Sequence, residues 1–175
     1  MEYVFTLKYQ MPPQDCEEEP LMRRLAAVGC KDALIVVGLR GRLMLSFKRH
    51  DECGEQALLS ALHHVRKAIP GARLIEAAPD MVGLTDVAAM VGVSRQNMRK
   101  LMLTHPMSFP SPIHEGNSSS VWHLWDVLCW MRGRGGYRID EAVLELAKVA
   151  KTVNLVRECR HLEDRKREEF VKLVA

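Results

Sequence analysis

Between residues 95 and 100 the chain sets Arg95, Gln96, Asn97, Arg99 and Lys100 around one apolar position, Met98. These side chains share a chemistry, which is hydrogen bonding to flat polar edges and to anionic oxygens. Arg forks onto O6 and N7 of guanine, and Gln or Asn pairs with N6 and N7 of adenine. Arg and Lys also hold phosphates, which sets affinity and register but carries no sequence information. At helical spacing Met98, Leu101 and Met102 fall on one side, where they can pack. Gln96, Arg99 and Lys100 point the other way, with Arg95 and Asn97 on the flanks. Arg95, Gln96 and Asn97 occupy the first turn, the part of a groove-reading helix that meets base edges.

Such a helix needs a platform, and the flanking residues predict one. Thr85 reads as an N-cap, with Asp86 suited to the positive end of a helix. Val87, Ala88 and Val91 give that helix an apolar face. Gly92 can take the left-handed conformation that stops it. Val93 plugs the angle between the helices, and Ser94 caps the second, which runs over 94–103. Then comes HPMSFPSPIHEGNSSS, where Pro106, Pro110 and Pro112 exclude helix and Gly116-Asn117 signals a tight turn. Flanked by Phe109, Ile113, Val121 and Trp122, this segment predicts a small β-hairpin. Helical spacing resumes with Asp126, Val127, Leu128, Trp130 and Met131.

Taken together, Gly92-Val93-Ser94, Met98-Arg99-Lys100, Phe109-Pro110-Ser111-Pro112, Trp122, Asp126-Val127 and Trp130 resemble the winged-helix DNA-binding domain of the MerR, excisionase and phage AlpA-like regulators. The resemblance spans residues 82–134, about a third of the chain. It implies a recognition helix in the major groove of double-stranded DNA and a wing near the backbone or minor groove. His114, Asn117, Ser118 and Ser119 then sit where a wing meets phosphate, and Thr85 and Ser94 at the two helix starts join the candidate contact set. Large segments on both sides distinguish the chain from simple excisionases.

Before this unit, residues 3–9 alternate like a strand, 21–28 read as a helix after Pro20, and 33–39 as a buried strand. Arg40-Gly41 reads as a hairpin turn, 42–48 as a strand, 51–69 as an amphipathic helix ended by Pro70-Gly71, and 72–77 as a last strand broken by Pro79. The order βαββαβ predicts a ferredoxin-like antiparallel sheet with two helices on one face, suited to dimerisation or to binding an effector whose nature is unknown. After Gly136, Asp140 can cap a long helix. There Ile139, Val143, Leu146, Ala150 and Val153 recur at threes and fours, with Leu155, Val156 and Leu162 continuing less regularly. That seam is expected to meet a partner chain or fold back as a hairpin. The basic cluster Arg165, Lys166 and Arg167 is balanced by neighbouring acids and reads as solvated. The expected architecture is therefore α+β in three parts: 1–79 ferredoxin-like, 80–136 winged helix-turn-helix, and 137–175 a helical oligomerisation segment.

Composition narrows the function classes. The 175 residues are 47% hydrophobic and 27% charged, a globular balance. No apolar run approaches the length of a membrane span, and the N-terminus lacks a signal-peptide core. Residues 84–138 carry six basic and three acidic side chains, whereas 1–83 (eleven of each) and 139–175 (eight of each) are balanced. The whole net charge of +3 thus sits in the predicted DNA-binding unit. Five cysteines without a CxxC pair fit reduced thiols in a cytoplasm. Seven histidines form no metal pattern, and no nucleophile–base pair, phosphate loop or carboxylate cluster announces an enzyme or a cofactor. Two functions remain. One is a homodimeric, sequence-specific transcriptional regulator. The other is a protein-interaction adaptor that uses the N-terminal domain, with the helix pair as scaffold.

Overall fold

The computed structural model describes residues 1–15, 17–38, 41–117, 119–160 and 163–174. Leu39 at the end of the expected strand, Arg40 of the expected Arg40-Gly41 turn, Ser118 of the hairpin tip and Leu162 lie outside the described residues. The chain is mixed α+β. Its first part runs β1 (Glu2–Gln10), α1 (Glu18–Ala27), β2 (Ala33–Gly38), β3 (Arg42–His50), α2 (Gly54–Ala68) and β4 (Arg73–Ala78). These four strands form one sheet in the order β2-β3-β1-β4, every neighbouring pair antiparallel. Alternation decides its faces. Tyr3, Phe5, Leu7 and Tyr9 of β1 and Leu43, Leu45 and Phe47 of β3 point to one side and are buried, with Phe5 and Phe47 stacked 5.1 Å apart. Leu21 and Leu25 of α1 and Leu58, Ala61 and Val65 of α2 complete this first core. Pro20 sits inside α1 rather than before it, in the first turn, where a missing N–H costs nothing.

The second part runs β5 (Met81–Val82), α3 (Leu84–Val91), α4 (Arg95–Thr104), β6 (His114–Glu115), β7 (Ser120–His123) and α5 (Leu124–Arg134). β5 adds to the hairpin to make a second sheet, β5-β7-β6. It has its own core, in which Val87, Met98, Phe109, Trp122, Leu124, Val127 and Met131 are buried together. The chain closes with α6 (Glu141–Cys159) and α7 (Asp164–Val174).

The expectation for the C-terminal seam needs correction. Leu146 and Ala150 are buried in the first core and Val153 packs against it, while Ile139 and Val143 pack against the second. The seam is covered by this chain's own sheet and by α5, with no partner needed. Helix α6 also has a second apolar face, Leu144 and Ala147, buried in the second core. It therefore bridges the two units. Lys151 of α6 donates to both oxygens of Asp126 on α5 at 2.7 and 2.8 Å. Glu145 reaches the other way, where one oxygen accepts from the Gly54 N–H and from the Tyr3 hydroxyl, each at 2.7 Å. That carboxylate caps α2, which has no side-chain cap of its own. A Cβ at Gly54 would meet Glu145 Cβ at 3.0 Å, so any larger residue there would press on α6. The two donors hold Glu145 below the usual carboxylate range, the Gly54 N–H most, and burial followed by this carboxylate pushes Tyr3 up to about 12.

Near the end of β3, across the ladder from Tyr3, Arg49 is buried and forks onto Asp32 at 2.6 and 3.0 Å, with a third bond to Ser60 Oγ at 2.8 Å. Burial pushes the Asp32 carboxyl up, but the Arg49 hydrogen bonds and charge outweigh it and hold the group below its ordinary value. A depressed carboxylate stabilises the fold above its unfolded pKa and loses that stabilisation as pH falls through the folded one. Asp32→Asn is therefore expected to cost about 2 kcal/mol at pH 7. Its deficit relative to the wild type should shrink steadily below about pH 4. Urea titrations at pH 7 and pH 3 check this, and an equal deficit at both values would sink it.

Candidate nucleic-acid interface

Helices α3 and α4 are joined by Gly92, Val93 and Ser94. Gly92 has φ 70° and ψ 33°, the left-handed geometry that lets the chain leave α3. The Val93 N–H then bonds back to the Ala88 carbonyl at 2.9 Å, tying the turn to the helix it leaves. Ser94 caps α4, its hydroxyl accepting from the Asn97 N–H at 3.1 Å. Thr85 is not the cap of α3. That position falls to Gly83, whose N–H donates to Asp86 Oδ2 at 2.8 Å, so Asp86 closes the end from the third helical position. Thr85 is thereby left in the first turn with its side chain exposed.

Met98 and Leu101 are buried against α3, and this fixes which way the rest of α4 faces. Arg95, Gln96, Asn97, Arg99 and Lys100 are all exposed. Among the described residues, no hydrogen bond or ion pair engages the side chains of Arg95, Gln96, Arg99 or Lys100. They divide into two neighbouring rows along the helix, the members of each about one turn apart. Gln96, Lys100 and Leu103 share the outermost row, and Leu103, 61% exposed, is an apolar member that periodicity alone assigned to no role. Arg95, Arg99 and Met102 turn toward the hairpin.

There they line an open cleft of about 360 Å³, whose opposite wall is formed by Gly116, Asn117 and Ser119 of the hairpin and whose floor includes Thr85 and Trp122. Five of the sequence-predicted contact residues, Thr85, Arg95, Arg99, Asn117 and Ser119, thus come together from three different elements. His114 is exposed on β6, outside the cleft lining. Met102 is part of the lining that sequence reasoning did not put in the contact set. The spacing of Met102 from Arg95 and Arg99 was the available signal.

The hairpin is held in place by aromatic contacts. Phe109 is edge-on to Trp122 (6.1 Å) and to Trp130 (5.0 Å), and the Trp122 indole N–H donates to the Pro110 carbonyl at 3.0 Å. Phe109 belongs to the core rather than to a strand, so the hairpin proper is shorter than the Phe109-to-Trp122 span suggested. Edge-on aromatic pairs fix orientation as well as burying area.

Behind the interface lies a buried polar node. Asp80 and Asn154 are each 1% exposed. Asp80 Oδ1 lies 2.7 Å from His123 Nδ1, its other oxygen accepts from Asn154 Nδ2 at 2.8 Å, and its carbonyl accepts from the Leu124 N–H at 2.7 Å. Asn154 also exchanges both bonds with the Ala77 backbone, at 2.9 and 2.8 Å. The end of β4, the start of α5 and the middle of α6 are pinned at one point. Among the described residues no group of three or more His, Cys, Asp or Glu is placed to hold a metal ion, and no helix is long and apolar enough to cross a membrane. No family model matches the chain, and searches of curated proteins and of solved structures likewise find no match.

Proposed function

We propose that the chain is a sequence-specific double-stranded DNA-binding transcriptional regulator, built as a winged helix-turn-helix between a ferredoxin-like sheet domain and a bridging helix. The observation that carries this reading is the state of Arg95 and Arg99. Two guanidinium groups stand unpaired in an open cleft between α4 and the hairpin, beside exposed Gln96 and Lys100. Both face a wall of Asn, Ser and Gly that offers no counter-charge. A duplex supplies that charge. Its phosphates suit Arg95, Arg99 and Lys100, and its base edges suit Gln96 and Asn97. The strand order β2-β3-β1-β4 and the pairing of β5 with β7 support the two fold assignments. Regulators of this kind act as pairs on two half-sites of a pseudo-palindrome, and a homodimer belongs to the reading.

The first test is retention of the full chain on random duplex DNA with elution by salt. A protein-interaction adaptor would flow through, and that result would end the proposal. Fragments selected from a random library would then report the half-site. Against that site, Gln96→Ala is expected to relax preference at one base position, with discrimination there falling about tenfold, while binding to non-specific duplex is unchanged. Equal loss on all sequences would place Gln96 on phosphate instead.

A further inference from the structure

The two edges of the four-stranded sheet are treated differently. On β4 the outward-facing backbone is occupied. The Ala77 N–H and C=O pair with the Asn154 amide, and the Ile75 carbonyl accepts from Arg157. A side-chain amide here stands in for a neighbouring strand, so β4 offers no template for another chain. On β2 nothing comparable is present. The Lys48 N–H bonds the Asp32 carbonyl at 3.2 Å, which sets the alternation of the ladder. Leu34, Val36 and Gly38 therefore address β3, while Ile35 and Val37 present their N–H and C=O outward. Among the described residues no donor or acceptor meets them. The strand reads ALIVVG, with no charge, proline or bulge to blunt it, and Leu34 and Val36 are 68% and 42% exposed.

We propose that β2 pairs antiparallel with β2 of a second copy of this chain, making one continuous eight-stranded sheet across a twofold axis. Three features select a second copy as the occupant. A row of unpaired peptide groups calls for a strand, and a strand free of charge calls for an apolar one, which β2 itself is. A register centred on Val36 sets Ile35 opposite Val37 of the second copy, so the outward peptide groups exchange four bonds. It leaves the Ala33 N–H on its Cys30 carbonyl partner. The same register lays the bulky Leu34 side chain across from Gly38 of the second copy, a position without a side chain, twice by symmetry. Finally, the assembly closes. Each copy spends the open edge of its four-stranded sheet, and the remaining edge of that sheet is β4, where Asn154 and Arg157 already engage Ala77 and Ile75, so this sheet stops growing at two copies. This names the surface of the homodimer invoked above but does not depend on the DNA contacts of that reading.

The test is sedimentation equilibrium of the full chain without DNA, so failure here and failure of DNA binding are separate results. The wild type is expected to sediment as a dimer at tens of micromolar. Leu34→Lys with Val36→Lys, both at exposed positions, is expected to shift it to monomer, while Val156→Lys, at an exposed apolar position on α6, leaves the dimer intact. A wild type that is monomeric throughout, or a double variant that remains dimeric, would overturn the proposal. Amide exchange on the wild type decides the matter without any variant. Protection of Ile35 and Val37 should rise at least tenfold between sub-micromolar and hundred-micromolar protein, and exchange that is equally fast at both ends of that range overturns the pairing.

Discussion

The double substitution Arg95→Ala, Arg99→Ala is expected to lower affinity for any duplex about a hundredfold at low salt. The figure follows from two charge-assisted bonds at about 1.5 kcal/mol each. Both side chains are exposed and unpaired in the free protein, so their removal strands no buried partner and should move stability by less than about 0.5 kcal/mol. The loss is therefore a loss of binding and not of fold. Its signature is the salt dependence. Each phosphate contact contributes a slope of about −0.9 in log affinity against log salt, so the variant line should be shallower by about 1.8 and converge on the wild type as salt rises. Specificity should survive, because Gln96, which this reading sets on a base edge, sits on the other row of α4. A gel-shift titration at three salt concentrations measures both quantities. An unchanged slope would mean that the cleft between α4 and the hairpin does not hold the backbone, and the docking model would fail with it.

How far the chain could be read in advance depended on whether a feature is written locally. The strands β1 and β3 were legible because their buried and exposed residues alternate over nine positions each. The turn at Gly92 and the cap at Ser94 were legible because single residue types do that work. Thr85 misled because a threonine before an apolar stretch is a good cap by composition, whereas Asp86 reaching back to Gly83 makes the helix start two residues earlier. β5 was missed because two residues carry no period, and Met81 and Val82 are a strand only through pairing with His123 and Trp122. The α6 seam was found but given the wrong neighbour. Three-and-four spacing reports that a face is buried and is silent on what buries it. Within the candidate interface, the spacing of Arg95 and Arg99 was local, but that Asn117 and Ser119 close the same cleft is a tertiary fact.

Asn154 is the clearest case of information that is not local, and it carries the largest expected effect on stability. Its partners lie at residues 77 and 80, more than seventy positions away, and in the sequence it is one polar residue in a helical run. Asn154→Leu keeps the branched shape and the helix but removes both the acceptor and the donor. It leaves the Ala77 N–H and C=O and one oxygen of a buried carboxylate without their partner. Unsatisfied buried groups cost about 1–3 kcal/mol each, and stranding a buried charge is the most costly of these. A total of about 3–5 kcal/mol is expected, which for a chain of this size lowers Tm by about 10 °C. Val156→Leu, two positions further along α6 at an exposed site, is the control and should melt with the wild type. The loss should also be selective. The second core is built from its own residues, Met98, Phe109, Trp122 and Val127 among them, so below its transition the Asn154→Leu protein should still bind duplex DNA with wild-type affinity. Melting followed by circular dichroism, with binding measured on the folded protein, separates the two. A Tm within 2 °C of the wild type would show that water or backbone movement replaces the amide, and the node would then not be what joins the sheet to the helix-and-hairpin unit.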